Sequence, residues 1–242
     1  MPGWDKSLNH SIMKLLAIGA HPDDGEFGCG ALIIKEALKG NQTKIVVCSL
    51  GEAGTSGTPE GRKTEATEAA KLAGAEIEFL DMGGDCHIEY KPQNSFALAK
   101  IIREYKPNVV LTQQLKANQH PDHSIVSRLT RDACRMARYG GLREIKKLAV
   151  HRIDGLYYFP SSVDFDGQPD ILVDVTEQFE KWQKTMRCHK SQMKTTDYLE
   201  LVNTKAAALG RSIGVKYAVA LWKNDPLVID SFSNLELSSR NY

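Results

Sequence analysis

Short apolar runs alternate along this chain with longer segments in which apolar residues recur every three or four positions. The runs at 15–20, 44–49, 76–80 and 108–112 have the length of strands, and the first reads Leu15-Leu16-Ala17-Ile18-Gly19-Ala20 with no polar interruption. A strand apolar on both sides must be covered on both sides, which points to a parallel sheet between helices. Helices are predicted at about 28–39, ended by Gly40-Asn41, at 62–73, at 94–105, stopped by Pro107, and at about 122–139. The second half is less regular. Strands are expected at 155–159 and 170–175, with the turn Asp164-Phe165-Asp166-Gly167 between them. A helix capped by Thr176 and reaching His189 should follow, then one over 196–213 ended by Gly214. The expected fold class is α/β: a doubly wound, mostly parallel, Rossmann-like sheet with helices on both faces. No repeat or linker divides the 242 residues, so a single domain over 1–242 is expected.

Composition narrows the partners. Hydrophobic residues make up 42% of the chain and charged residues 25%, enough for a soluble protein with a substantial core. The 31 basic and 30 acidic residues leave a formal charge of +1, which gives no electrostatic ground for a nucleic-acid or membrane partner. Cys29, Cys48, Cys86, Cys134 and Cys188 are odd in number and form no C-x-x-C pair. That argues against a disulfide framework or a cysteine zinc cluster and makes a reducing cytoplasm the expected location. The apolar run at 15–20 is too short to span a bilayer and leads into a charged cluster.

Two clusters carry the chemistry, and each follows a predicted strand. Ala20-His21-Pro22-Asp23-Asp24-Gly25-Glu26 follows the first, and His120-Pro121-Asp122-His123 lies beyond the fourth. Ligands of doubly wound sheets bind beyond the carboxyl ends of the strands, where strand order reverses. With order 3-2-1-4 the two clusters would face each other across that crevice. Catalytic zinc takes three protein ligands and leaves a position for water, so one His and one Asp from the first cluster plus one His from the second would complete a set. A further carboxylate could take the water's proton, and a further imidazole could stabilise an oxyanion or protonate a leaving amine. Metal-assisted hydrolysis of an amide or ester fits these parts. Taken singly, His-Pro-Asp could be a turn with a helix cap, and Asp23-Asp24 a solvated turn. Gly28-Cys29-Gly30 is only a fragment of a dinucleotide fingerprint, so no nucleotide cofactor is expected.

Together these motifs resemble those of the LmbE-like, or PIG-L, zinc deacetylase family. Gly51-Glu52-Ala53-Gly54-Thr55-Ser56-Gly57-Thr58-Pro59-Glu60-Gly61-Arg62 is similar to its Gly/Thr-rich loop, and His189-Lys190-Ser191-Gln192 to its His-x-Ser-Gln segment. The resemblance covers about residues 14–230. It implies that His21, Asp24 and His123 bind Zn2+, or Fe2+ or another divalent ion, with Asp23 as general base and His120 as electrostatic stabiliser or acid. Arg62 would contact sugar hydroxyls, and Asp122 would orient an imidazole or cap its helix. The implied reaction is deacetylation of an N-acetylglucosamine-containing small molecule, most closely N-acetylglucosaminyl malate in bacillithiol synthesis. An amidase acting on thiol conjugates, a two-metal phosphoesterase and a non-catalytic binding protein are the other readings. Homo-oligomers are common in the family. Two segments depart from its pattern: Lys116-Ala117-Asn118-Gln119 lacks the Arg or aromatic residue often found there, and Val219 stands where many relatives place a glutamate. Asp85 and His87 read as a surface loop, His189 as a helix end that could line the site, and Glu26 as support for its loop.

Overall fold

The computed structural model describes residues 12–116, 120–161, 167–194, 197–231, 233 and 238. Seven strands form one sheet: β1 (Lys14–Gly19), β2 (Gln42–Val47), β3 (Glu76–Phe79), β4 (Val109–Gln113), β5 (Gly155–Phe159), β6 (Ile171–Asp174) and β7 (Ala218–Lys223). Their order is β3-β2-β1-β4-β5-β7-β6, so the expected 3-2-1-4 arrangement is present. β1 pairs in parallel with β2 and with β4, while β7 runs antiparallel to both β5 and β6. β7 was not expected as a strand.

Successive side chains of the central strands feed two cores. Leu15, Ala17, Ile45, Val47 and Leu111 join one, and Leu16, Ile18, Val46, Cys48 and Val110 join the other. The helices are α1 (Asp24–Leu38), α2 (Pro59–Ala73), α3 (Pro92–Tyr105), α4 (Pro121–Met136), α5 (Phe179–Met186) and α6 (Tyr198–Ser212). α1 and α2 pack with α5 over one face, α3 packs on α4 over the other, and α6 lies against β7.

Four helices begin earlier than the sequence pattern suggests. α2, α3 and α4 open on Pro59, Pro92 and Pro121. The first helical turn has no use for the N–H that proline lacks, so a proline there belongs to the helix rather than marking its boundary. α1 starts at Asp24 instead of Gly28, after a short turn from the end of β1. Thr176, expected as a helix cap, lies in a 3-10 turn (Thr176–Gln178) and makes no capping bond; its amide is taken by Asp174 Oδ1 at 2.9 Å, and α5 starts at Phe179. α6 is capped by Asp197, whose Oδ1 accepts from the amide of Glu200 at 3.0 Å. Of the turn expected over 164–167 only Gly167 is among the described residues, and of the departure at 116–119 only Lys116. No described helix is long and apolar enough to cross a membrane.

Candidate active site

Strand order reverses between β1 and β4, and the two sequence clusters sit at that point. A four-residue turn, residues 20–23, joins β1 to α1. Asp23, the junction residue, takes φ 123° and ψ −30°, a region that L residues enter at a cost of about 1–3 kcal/mol. Its carboxylate makes no capping bond to α1 and lines the cavity instead. Asp24 Oδ2 accepts from the backbone amide of His21 at 2.7 Å, which ties the turn to its own metal-type side chain. On the facing side, His120 caps α4: its Nδ1 accepts from the amide of Asp122 at 3.3 Å. With Nδ1 assigned as acceptor, the neutral ring carries its proton on Nε2.

The two nitrogens of His21 serve different groups. Nδ1 lies 3.5 Å from Asp24 Oδ2, and Asp24 Oδ1 lies 3.2 Å from His123 Nε2. Tetrahedral zinc with ligands at about 2.0–2.2 Å separates its donors by roughly 3.3–3.6 Å; one ligand atom from each of His21, Asp24 and His123 lies within 4.8 Å of the others, so the trio can close around such an ion. Nε2 lies 3.3 Å from Asp122 Oδ2 and 3.1 Å from Asp85 Oδ1. Asp122 is almost fully buried and also accepts from the amide of Cys86 at 2.8 Å. A carboxylate behind the second nitrogen fixes the orientation and basicity of a ligating imidazole. Asp85, Asp122 and His120 with His21 form a second group of metal-type side chains. There, however, the carboxylates already accept hydrogen bonds from His21 and from the amide of Cys86.

Burial and charge set the protonation states. His21 is opposed by burial but carried up to about 10 by Asp122, Asp85 and Asp24. Asp24 is buried, yet His123 and His21 hold it well below the usual carboxylate range. Asp85 is likewise held low, first by its hydrogen bond with His21. Asp23 moves the other way: burial and the neighbouring Asp24 push it up to about 6, against the pull of Arg62, His189 and His21. Burial and the His21 charge lower His120. Two adjacent carboxylates thus differ, one held ionised and the other poised to accept a proton near neutrality.

Arg62 is buried, and its Nη1 and Nη2 donate to the carbonyls of Gly51 and Pro22, both at 3.0 Å. Nη2 also lies 3.4 Å from Asp23 Oδ2. Gly51, at φ 70°, is required here, since a Cβ would stand 1.9 Å from Arg62 Nη1. Glu26 and His189, both wholly buried, face each other at 3.6 Å beneath the site, and Trp182 Nε1 donates to the Glu26 carbonyl at 2.7 Å. The cavity above has a volume of about 320 Å3. Its polar end holds His21, Asp23, Asp24, His120 and His123, and its apolar wall includes Phe27, Phe159, Leu201 and Val219.

The structure therefore brings together His21, Asp23, Asp24, Arg62, His120, Asp122 and His123 from the starts of three helices, α1, α2 and α4, and the turns that lead into them. Asp85, expected in a surface loop, is instead buried and bonded to His21. Gly83 and Gly84, at φ 109° and 91°, turn the chain after β3 back over the site, and these adjacent glycines are the sequence signal that was missed. His87, two residues on, is exposed. His189 lies beneath the site, out of reach of the cavity, as the partner of Glu26.

The model for the PIG-L family, described as GlcNAc-PI de-N-acetylase, matches residues 16–134, which contain every member of this cluster. The uncharacterized deacetylase YaiS of Escherichia coli is 36% identical over 146 residues, 54% of this chain and 77% of the relative. The chain belongs to the PIG-L family. Other members point to two chemistries. The diacetylchitobiose deacetylase of Thermococcus kodakarensis is 27% identical over 226 residues, covering 86% of this chain and 82% of the relative. The 4-oxalmesaconate hydratase of Pseudomonas putida is 26% identical over 232 residues, covering 89% and 86%. Membership makes this chain an enzyme, and its deacetylase relatives place it among metal-dependent hydrolases.

Proposed function

We propose that this PIG-L enzyme removes the acetyl group from an N-acetylglucosamine-containing small molecule, using one zinc ion held by His21, Asp24 and His123. The observation that carries the reading is the place of the Asp24 carboxylate between two imidazoles, Oδ2 3.5 Å from His21 Nδ1 and Oδ1 3.2 Å from His123 Nε2, with Asp23 beside it. When bound there, zinc supplies a polarised water whose pKa falls from about 15.7 towards 7. Asp23 accepts the water's proton, and its elevated affinity suits it to hold that proton and return it. Arg62 keeps Asp23 facing the cavity. His120, its Nε2–H turned from the helix into the site, stabilises the developing oxyanion or protonates the leaving amine. Asp122 and Asp85 hold His21 from behind.

N-acetylglucosaminyl malate, the bacillithiol precursor, is the substrate we favour, acted on in the cytoplasm. The cavity is of the size that takes drug-sized ligands, and Lys205 on its wall supplies a cation for an acidic aglycone. A panel comparing this conjugate with free N-acetylglucosamine and diacetylchitobiose, read as acetate released with and without a chelator, tests both levels. Turnover that survives chelation refutes the metal role, and preference for the neutral sugars refutes the acidic aglycone. The hydratase likeness favours a second reading, addition of water to an unsaturated acid. It prevails if 4-oxalmesaconate turns over and no acetylated sugar does.

A further inference from the structure

Cys86 stands at the mouth of the site and has no part in the deacetylation chemistry above. It is exposed, at φ 65°, and its Sγ lies 3.5 Å from Asp85 Oδ1 and 3.5 Å from His120 Nε2. Asp85 Oδ1 and His120 Nε2 are themselves 3.3 Å apart. Three different donor types therefore make a near-equilateral triangle. Tetrahedral zinc, with sulfur at about 2.3 Å and nitrogen and oxygen at about 2.0–2.2 Å, separates nitrogen from oxygen by roughly 3.4 Å and sulfur from either by roughly 3.6 Å. The triangle has those edges. Its open side faces solvent through Cys86, so an ion can enter without passing the first site.

We propose that Asp85, Cys86 and His120 form a second, weaker metal site that takes a thiophilic divalent ion, Zn2+ or Cd2+, and thereby inhibits the enzyme. The weakness has a structural cause. Ligation through His120 Nε2 moves the ring proton to Nδ1 and breaks the 3.3 Å bond from the Asp122 amide. The ion must also displace the thiol proton, so binding tightens as pH rises. Ligation also draws Asp85 Oδ1 away from His21 Nε2, 3.1 Å off; the first site breaks neither that bond nor the cap of α4, so it fills first and the second only at excess metal. Inhibition rests on the function proposed above, because a ligated His120 cannot serve as acid or oxyanion partner. Metal binding itself does not rest on it.

The experiment is a Cd2+ titration of the full chain, following bound metal per chain and the thiolate-to-cadmium absorbance in the ultraviolet. Wild type should bind two equivalents, the second with the thiolate band. Cys86→Ala and Cys86→Ser should bind one and show no band, and Zn2+ should inhibit them only at concentrations at least tenfold higher. His123→Ala should lose the first equivalent and keep the band. That separates failure of the catalytic site from failure of this one. A second equivalent that persists in both Cys86 variants, a wild type without the thiolate band, or activation by the second equivalent would overturn the proposal.

Discussion

Removing Arg62 should damage stability and catalysis through separable routes. In Arg62→Ala the carbonyl of Pro22, whose hydrogen bond comes from Nη2, loses its donor inside the protein, and the Gly51 carbonyl keeps only the amide of Gly54 at 3.1 Å. Hydrogen bonds to a charged group contribute about 1.5–3 kcal/mol each, and a buried carbonyl left alone costs about 1–3 kcal/mol, so a loss of roughly 3–5 kcal/mol is expected. For a chain of this size that lowers Tm by roughly 6–20 °C. The catalytic route runs through Asp23, whose pKa Arg62 lowers. Asp23 must be ionised to accept a proton, so wild-type activity should fall as pH drops through about 6. Without the guanidinium the pKa rises further, and this acid limb should move to higher pH. Arg62→Lys, with one charged donor left, should fall between. Thermal melts and a kcat/KM profile against pH check both. A variant with unchanged Tm and an unmoved acid limb would refute the placement of Arg62.

Other changes separate the roles. Asp23→Asn should abolish most turnover while one metal stays bound, measured by metal analysis after dialysis; loss of the metal would make Asp23 a ligand. Asp122→Ala should weaken metal binding about 10–100-fold, read by competition with a chelator, because His21 loses its orienting carboxylate. Trp182→Ala should cost about 3–5 kcal/mol in denaturant melts, since the ring is almost fully buried under α1 and its Nε1 holds the Glu26 carbonyl.

Much of this was legible in the sequence, for identifiable reasons. The uninterrupted run at 15–20 could only be a strand covered on both faces, and Ile18 and Ala17 do serve opposite cores. The two His-Asp clusters followed strands, so the switch-point rule alone brought them together. What escaped depended on conformation rather than residue type. Asp85 reaches His21 only because two glycines reverse the chain after β3. Glu26 and His189 meet because α1 begins four residues early and packs on α5. β7 was overlooked although 218–223 is an apolar run of strand length; its neighbours are β5 and β6, and antiparallel closure of a parallel sheet leaves no periodicity to read.

The most direct test is anomalous diffraction at the zinc edge from crystals loaded with one equivalent of metal. A single ion bonded to His21 Nδ1, an Asp24 oxygen and His123 Nε2 is the predicted result. An ion bonded to His21 Nε2 among Asp85, Asp122 and His120, with Asp24 and His123 unligated, would contradict it.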